Sequence, residues 1–116
     1  MSDWVSSTLV FVRDVEVALP FYVGKLGFTL NMRYEEEGHA MVAGVSRGDG
    51  AALLLTSQWP DKVGHAVIYA ALNADEFAAL RADLDAAGVT TEAGFWGKEL
   101  MIVADADGNQ LWFPLP

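Results

Sequence analysis

The order strand, helix, strand, strand, strand occurs twice in this 116-residue chain, and no other feature constrains its fold as tightly. In the first pass, Thr8 to Val12 is a β-rich apolar run ended by Arg13-Asp14. The Asp14 carboxylate suits a helix start, because it can accept from the free amides of the first turn. Leu19, Tyr22, Val23 and Leu26 then recur at helical spacing. Pro20 sits inside that stretch and removes one backbone bond, which bends the helix. Gly27 is placed to stop it in the left-handed conformation. Phe28 to Tyr34 reads as a strand and Glu35 to Gly38 as an acidic turn. His39 to Val45 and Ala51 to Thr56 form a hairpin across Arg47-Gly48-Asp49-Gly50. After a Trp59-Pro60 linker the order restarts. Ala66 to Leu72 is a strand, Asn73 with Glu76 resembles a capping box, and Leu72 with Phe77 a hydrophobic staple. Phe77, Leu80 and Leu84 continue a buried stripe that Gly88 closes. Val89 to Phe95, Glu99 to Ala104 and Gln110 to Phe113 are the remaining strands, and the turn Asp105-Ala106-Asp107-Gly108-Asn109 joins the last two. Gly27 and Gly88 are 61 positions apart, about half the chain. The pattern is an internal duplication. We expect an α+β fold of two βαβββ modules, about 5–57 and about 64–116, in one domain spanning 1–116.

Charge and composition narrow the partners. Seven basic residues against 16 acidic ones give a net charge of −9, which argues against a nucleic-acid phosphate backbone. No apolar run reaches the roughly 20 residues a membrane-spanning helix needs, and no secretory leader is visible. Without cysteine there is neither a disulfide framework nor a thiolate metal site, so the expectation is a cytoplasmic protein. No phosphate-binding glycine loop and no nucleophile elbow is present.

The segments Val12-Arg13-Asp14, Pro20-Phe21-Tyr22, Lys25-Leu26-Gly27-Phe28, Phe95-Trp96-Gly97-Lys98-Glu99 and Asp105-Ala106-Asp107-Gly108-Asn109 resemble the glyoxalase/bleomycin-resistance/dioxygenase family, also called the vicinal oxygen chelate superfamily. The Trp-Gly-Lys-Glu stretch is most like the bleomycin-resistance branch. The resemblance implies two modules whose curved mixed sheet encloses a cup-shaped cavity, and a bacterial homodimer with cavities at the interface. It also implies a metal held by inward-facing residues, which fall here at Ser7, Leu54, His65 and Trp112. Among these only His65 is a competent ligand, so no metal, no cofactor and no catalytic residue is expected. The alternative is a metal-dependent lyase or dioxygenase with an atypical ligand set around His65. For Glu35-Glu36-Glu37 and His39 a solvated turn and a surface histidine are the expectation.

Four tryptophans are the most informative compositional feature. A tryptophan at 112, where a family enzyme carries a glutamate, exchanges a charged ligand for a stacking surface. Trp96 lies beside Glu99, and Trp59 sits in the linker. Aromatic faces near carboxylates suit a planar or cationic small molecule. The expected function is therefore metal-free binding of a cationic or aromatic natural product, as in bleomycin-type antibiotic resistance. The expected site is Trp112, Trp96, His65, Glu99, Trp59, Tyr34 and Tyr69, with Met32 alternating beside Tyr34. Core or dimer packing would serve the same aromatics equally well, and it is the expectation for Trp4.

Overall fold

The fold is built by two four-stranded mixed sheets, one per repeat. The computed structural model describes residues 6–48 and 50–116, so Trp4 and Asp49 lie outside the described residues. The first repeat contains β1 (Thr8–Phe11), α1 (Val15–Leu19), a π-helical turn (Pro20–Lys25), β2 (Thr29–Glu36), β3 (His39–Arg47) and β4 (Ala51–Thr56). A short 3₁₀ turn (Pro60–Lys62) leads to β5 (Val67–Tyr69), α2 (Ala74–Ala86), β6 (Glu92–Phe95), β7 (Glu99–Ala104) and β8 (Gln110–Pro114). The strand orders are β1-β4-β3-β2 and β5-β8-β7-β6. In each, the first strand runs parallel to the last and the other pairs are antiparallel. Among the described residues no helix is long and apolar enough to cross a membrane.

Strand alternation gives each sheet a helix face and an open face. Val10, Ala43, Val45, Leu53 and Leu55 are buried with Val15, Leu19, Tyr22 and Leu26 of the first helical segment. Met101, Val103, Leu111 and Phe113 are buried in the same cluster as Phe77, Leu80 and Leu84 of α2, so both repeats share one core. The open faces carry the intervening residues, among them Leu9, Met32 and Tyr34 on the first sheet and Val67, Tyr69 and Trp112 on the second.

Local chemistry fixes the element ends. Asp14 accepts from the Glu16 amide at 2.9 Å and Asn73 from the Glu76 amide at 2.8 Å, as the capping reading anticipates. At Pro20 the helix does more than bend: the backbone switches to π spacing, with the Leu26 amide donating to the Phe21 carbonyl at 3.0 Å. Proline has no N–H to give, and its ring crowds the carbonyl four residues back, so α bonding ends there. β6 starts at Glu92 rather than Val89 because the Val89 amide closes the end of α2 on the Leu84 carbonyl.

The two repeats are fastened by the turn Asp105 to Asn109. Asp105 is buried and accepts from the Tyr22 hydroxyl (2.8 Å), the Asp107 and Asn109 amides (both 2.9 Å) and the Asn109 side-chain amide (2.9 Å). Asn109 also donates to the Phe11 carbonyl and accepts from the Ala66 amide, each at 3.0 Å. Arg13 reaches the same turn, its Nε 2.6 Å from Asp107 Oδ1. Burial and the adjacent Asp105 carboxylate push the Tyr22 phenol far above its ordinary value, so it stays a proton donor. Gly64 is needed beside this turn: its φ is +86°, and a side chain there would collide with the Asp107 carbonyl oxygen.

Candidate functional site

Three aromatic rings meet on the open face of the second sheet. The β5–β8 register sets Tyr69 directly opposite Trp112. Trp96 comes from the turn between β6 and β7, which is closed by its own amide donating to the Lys98 carbonyl at 3.0 Å and by Gly97 at φ +72°. The Trp96 ring lies edge-on between the other two, 5.8 Å from Tyr69 and 6.0 Å from Trp112. Trp112 is half-buried and orients its ring by donating from Nε1 to Gln110 Oε1 at 2.9 Å. Tyr69 and Trp96 remain 47% and 65% exposed, so the cluster presents aromatic surface outward instead of filling a core.

The other expected site residues fall elsewhere. Glu99 pairs with Phe95, and alternation puts it on the face of buried Met101, opposite that of Trp112. There it lines a groove of about 530 Å³ with Arg81, Phe95 and Leu115. Tyr34 stands on the open face of the first sheet, its hydroxyl 3.4 Å from Glu36. Met32 lies on that face too, folded over Gly44. Trp59 is exposed, but Lys62 Nζ already lies 5.1 Å from its ring centroid and 5.7 Å from that of Phe11. His65 is exposed and lines an open cavity of about 270 Å³ with Leu9, Phe11 and Lys62.

Lys62 and Phe11 were not among the residues expected from sequence. The signal that could have found Lys62 is its spacing of three from Trp59 across a proline-initiated turn, which stacks the two side chains.

The residues present do not fit a family metal centre. Leu54 and Trp112 have no donor for a cation. The strand register also corrects the carried-over alignment. Leu54 pairs with Leu9 and Trp112 with Tyr69, so the first strands correspond at a spacing of 60 positions, not the 58 that equated Ser7 with His65. The acidic run is engaged locally: Arg33 bridges Glu16 and Glu35, each at 2.9 Å, and holds the Glu16 carboxyl below its usual range. His39 lies 2.9 Å from Asp14, and that hydrogen bond lowers the Asp14 carboxyl likewise. Among the described residues no three His, Asp or Glu side chains converge as a metal-binding group.

Comparison with known proteins places this fold. A sequence model described as Glyoxalase/Bleomycin resistance protein/Dioxygenase superfamily matches residues 4–113. No curated protein matches. Among solved structures, the chain is similar to TnmS3, an antibiotic binding protein from Streptomyces sp. CB03234, at 22% identity and a TM-score of 0.72, covering 100% of this chain and 99% of that one. It is similar to the bleomycin-binding protein of Streptomyces verticillus, solved with copper(II)-bleomycin, at 21% identity and a TM-score of 0.72, with 100% and 99% covered. TioX from Micromonospora sp. ML1 gives 21% identity and a TM-score of 0.72, with 96% and 98% covered.

Proposed function

The chain belongs to the Glyoxalase/Bleomycin resistance protein/Dioxygenase superfamily, and from that premise we propose that it is a metal-free protein that sequesters a flat aromatic natural product. The observation that carries this reading is the exposed cluster of Tyr69, Trp96 and Trp112. A planar ring system laid on such a surface loses water and gains dispersion without any first-row metal chemistry. Similarity to antibiotic-binding and bleomycin-binding proteins supports the same class of ligand. Of the cationic and aromatic halves of the sequence expectation, the aromatic one has the stronger support. Glu99 lies on the other face, and the Trp59 ring already carries a cation from this chain.

Tryptophan fluorescence titrated with copper-free bleomycin and with polycyclic aromatic antibiotics tests the reading. Trp112→Ala is expected to weaken any ligand found by about tenfold or more, since losing one aromatic stacking partner costs roughly 1–3 kcal/mol. An unchanged dissociation constant would make Trp112 scaffold. Metal analysis of protein purified without chelator is expected to give well under one ion per chain, and a stoichiometric ion would overturn the metal-free part.

The reading includes a homodimer. Met32 and Val67 leave apolar area on both open faces, and a second copy would cover it. Sedimentation equilibrium at micromolar concentration is expected to give twice the chain mass.

A further inference from the structure

We propose that the cavity at Lys62 and His65 is an anion subsite, and that the aromatic ligand carries a carboxylate or another acidic oxygen group into it. The inference deepens the reading above and rests on it, because it names the charge of the ligand held by the aromatic cluster.

Three observations carry it. Lys62 forms no ion pair within 4.0 Å among the described residues, although Asp61 precedes it and lines the same cavity. Its Nζ is held between the rings of Phe11 and Trp59, at 5.7 and 5.1 Å. The rings interact with the cation but leave its charge unneutralised, so the exposed ammonium sits on an aromatic surface and still lacks an anion. His65 and the apolar floor of Leu9 and Phe11 complete an open cavity of about 270 Å³ around it. That volume exceeds the roughly 30 Å³ of one water and admits a carboxylate, sulfonate or phosphate group.

The position ties this cavity to the aromatic cluster. His65 precedes Tyr69 by four residues, which span at most about 14 Å of extended chain. Val67 and Tyr69 share the open side of β5, and Tyr69 is the ring of the cluster that belongs to the same strand. A polycyclic ligand on Tyr69, Trp96 and Trp112 would place a side chain extended along β5 in the cavity that His65 and Lys62 line. In a chain of net charge −9, a cation next to an aromatic platform also selects by sign. Acidic groups lacking the ring system gain too little to overcome the general repulsion, whereas cations lose the Lys62 contact.

Three pyrene probes sharing one ring system and differing only in the tail end separate the contributions: 4-(1-pyrenyl)butanoate, its primary amide, and 4-(1-pyrenyl)butyltrimethylammonium. Fluorescence polarisation on the full chain is expected to show the carboxylate binding at least fivefold tighter than the amide, with the ammonium weakest. In Lys62→Gln the fivefold gap between carboxylate and amide should close. Lys62→Arg should restore the preference, which a general loss of folding could not do. Equal binding of the three, or a carboxylate preference that survives Lys62→Gln, overturns the anion subsite. If Trp112→Ala still weakens all three in that case, the aromatic reading stands alone. Binding of none of the probes overturns both.

Discussion

At the scale of single residues, two ionisable groups report on folding with opposite signs. Tyr22 donates to Asp105 from a buried site, and its phenol is raised far above the ordinary tyrosine value. A group whose folded value is raised contributes stability that is complete below its unfolded value, near pH 10, and lost as pH climbs above it. Alkaline unfolding should therefore begin near pH 10, and Tyr22→Phe should flatten that limb. At neutral pH the same variant is expected to lose about 1–3 kcal/mol in urea denaturation, because it removes one of the partners of a buried carboxylate. Asp14 behaves inversely. Its carboxyl is lowered by the hydrogen bond from His39 and by the helix amides it caps. That contribution is present above the ordinary aspartate value near 4 and lost as pH falls through the depressed one. Melting temperatures from pH 5 to 2 should fall less steeply for His39→Gln than for the parent. Parallel curves would mean that the pair does not couple to folding.

At the scale of elements, the fastening of one repeat to the other depends on a glycine between them. Gly64→Ala combines a left-handed φ with a collision against the Asp107 carbonyl, and should lower the unfolding free energy by about 1–3 kcal/mol in a denaturant titration. Gly38→Ala has the same sign of φ but open space around the added carbon, and should cost less. The repeat itself was readable because helix caps, helix-ending glycines and apolar alternation are local: β4 and β7 start and end where the residue pattern places them. The joins were less readable. Val89 looks like strand by composition, yet its amide is spent on closing α2. The two-residue difference between the first strands of the repeats depends on cross-strand register, which no single strand encodes. The site divides along the same line. Tyr69 and Trp112 met because both lie on strands with a determinable face. Glu99 went to the far face because the β6–β7 turn sets its register, and Lys62 was invisible because its role depends on two rings 51 and three positions away.

At the scale of the whole molecule, both sheets have one filled face and one unfilled face. Under the dimer reading, a charge placed on the open face of the first sheet, outside the aromatic cluster, should weaken association without touching the core. Met32→Glu is such a change: Met32 lies on the exposed strand β2. Sedimentation velocity is expected to show monomer at concentrations where the parent is dimeric, and an unaltered profile would place the interface elsewhere. The junction turn has a different consequence, one in time. The Tyr22 hydroxyl and the Arg13 guanidinium find their partners, and the Phe11 carbonyl one of its two, between residues 105 and 109, more than 80 positions along the chain. The first repeat pairs its own strands, but its polar edge is completed only by residues 105–109 of the second. Closing so long a loop is entropically slow, and it is repaid only when the last hairpin docks. Until the Asp105–Asn109 turn docks, the first repeat therefore remains an unfinished half.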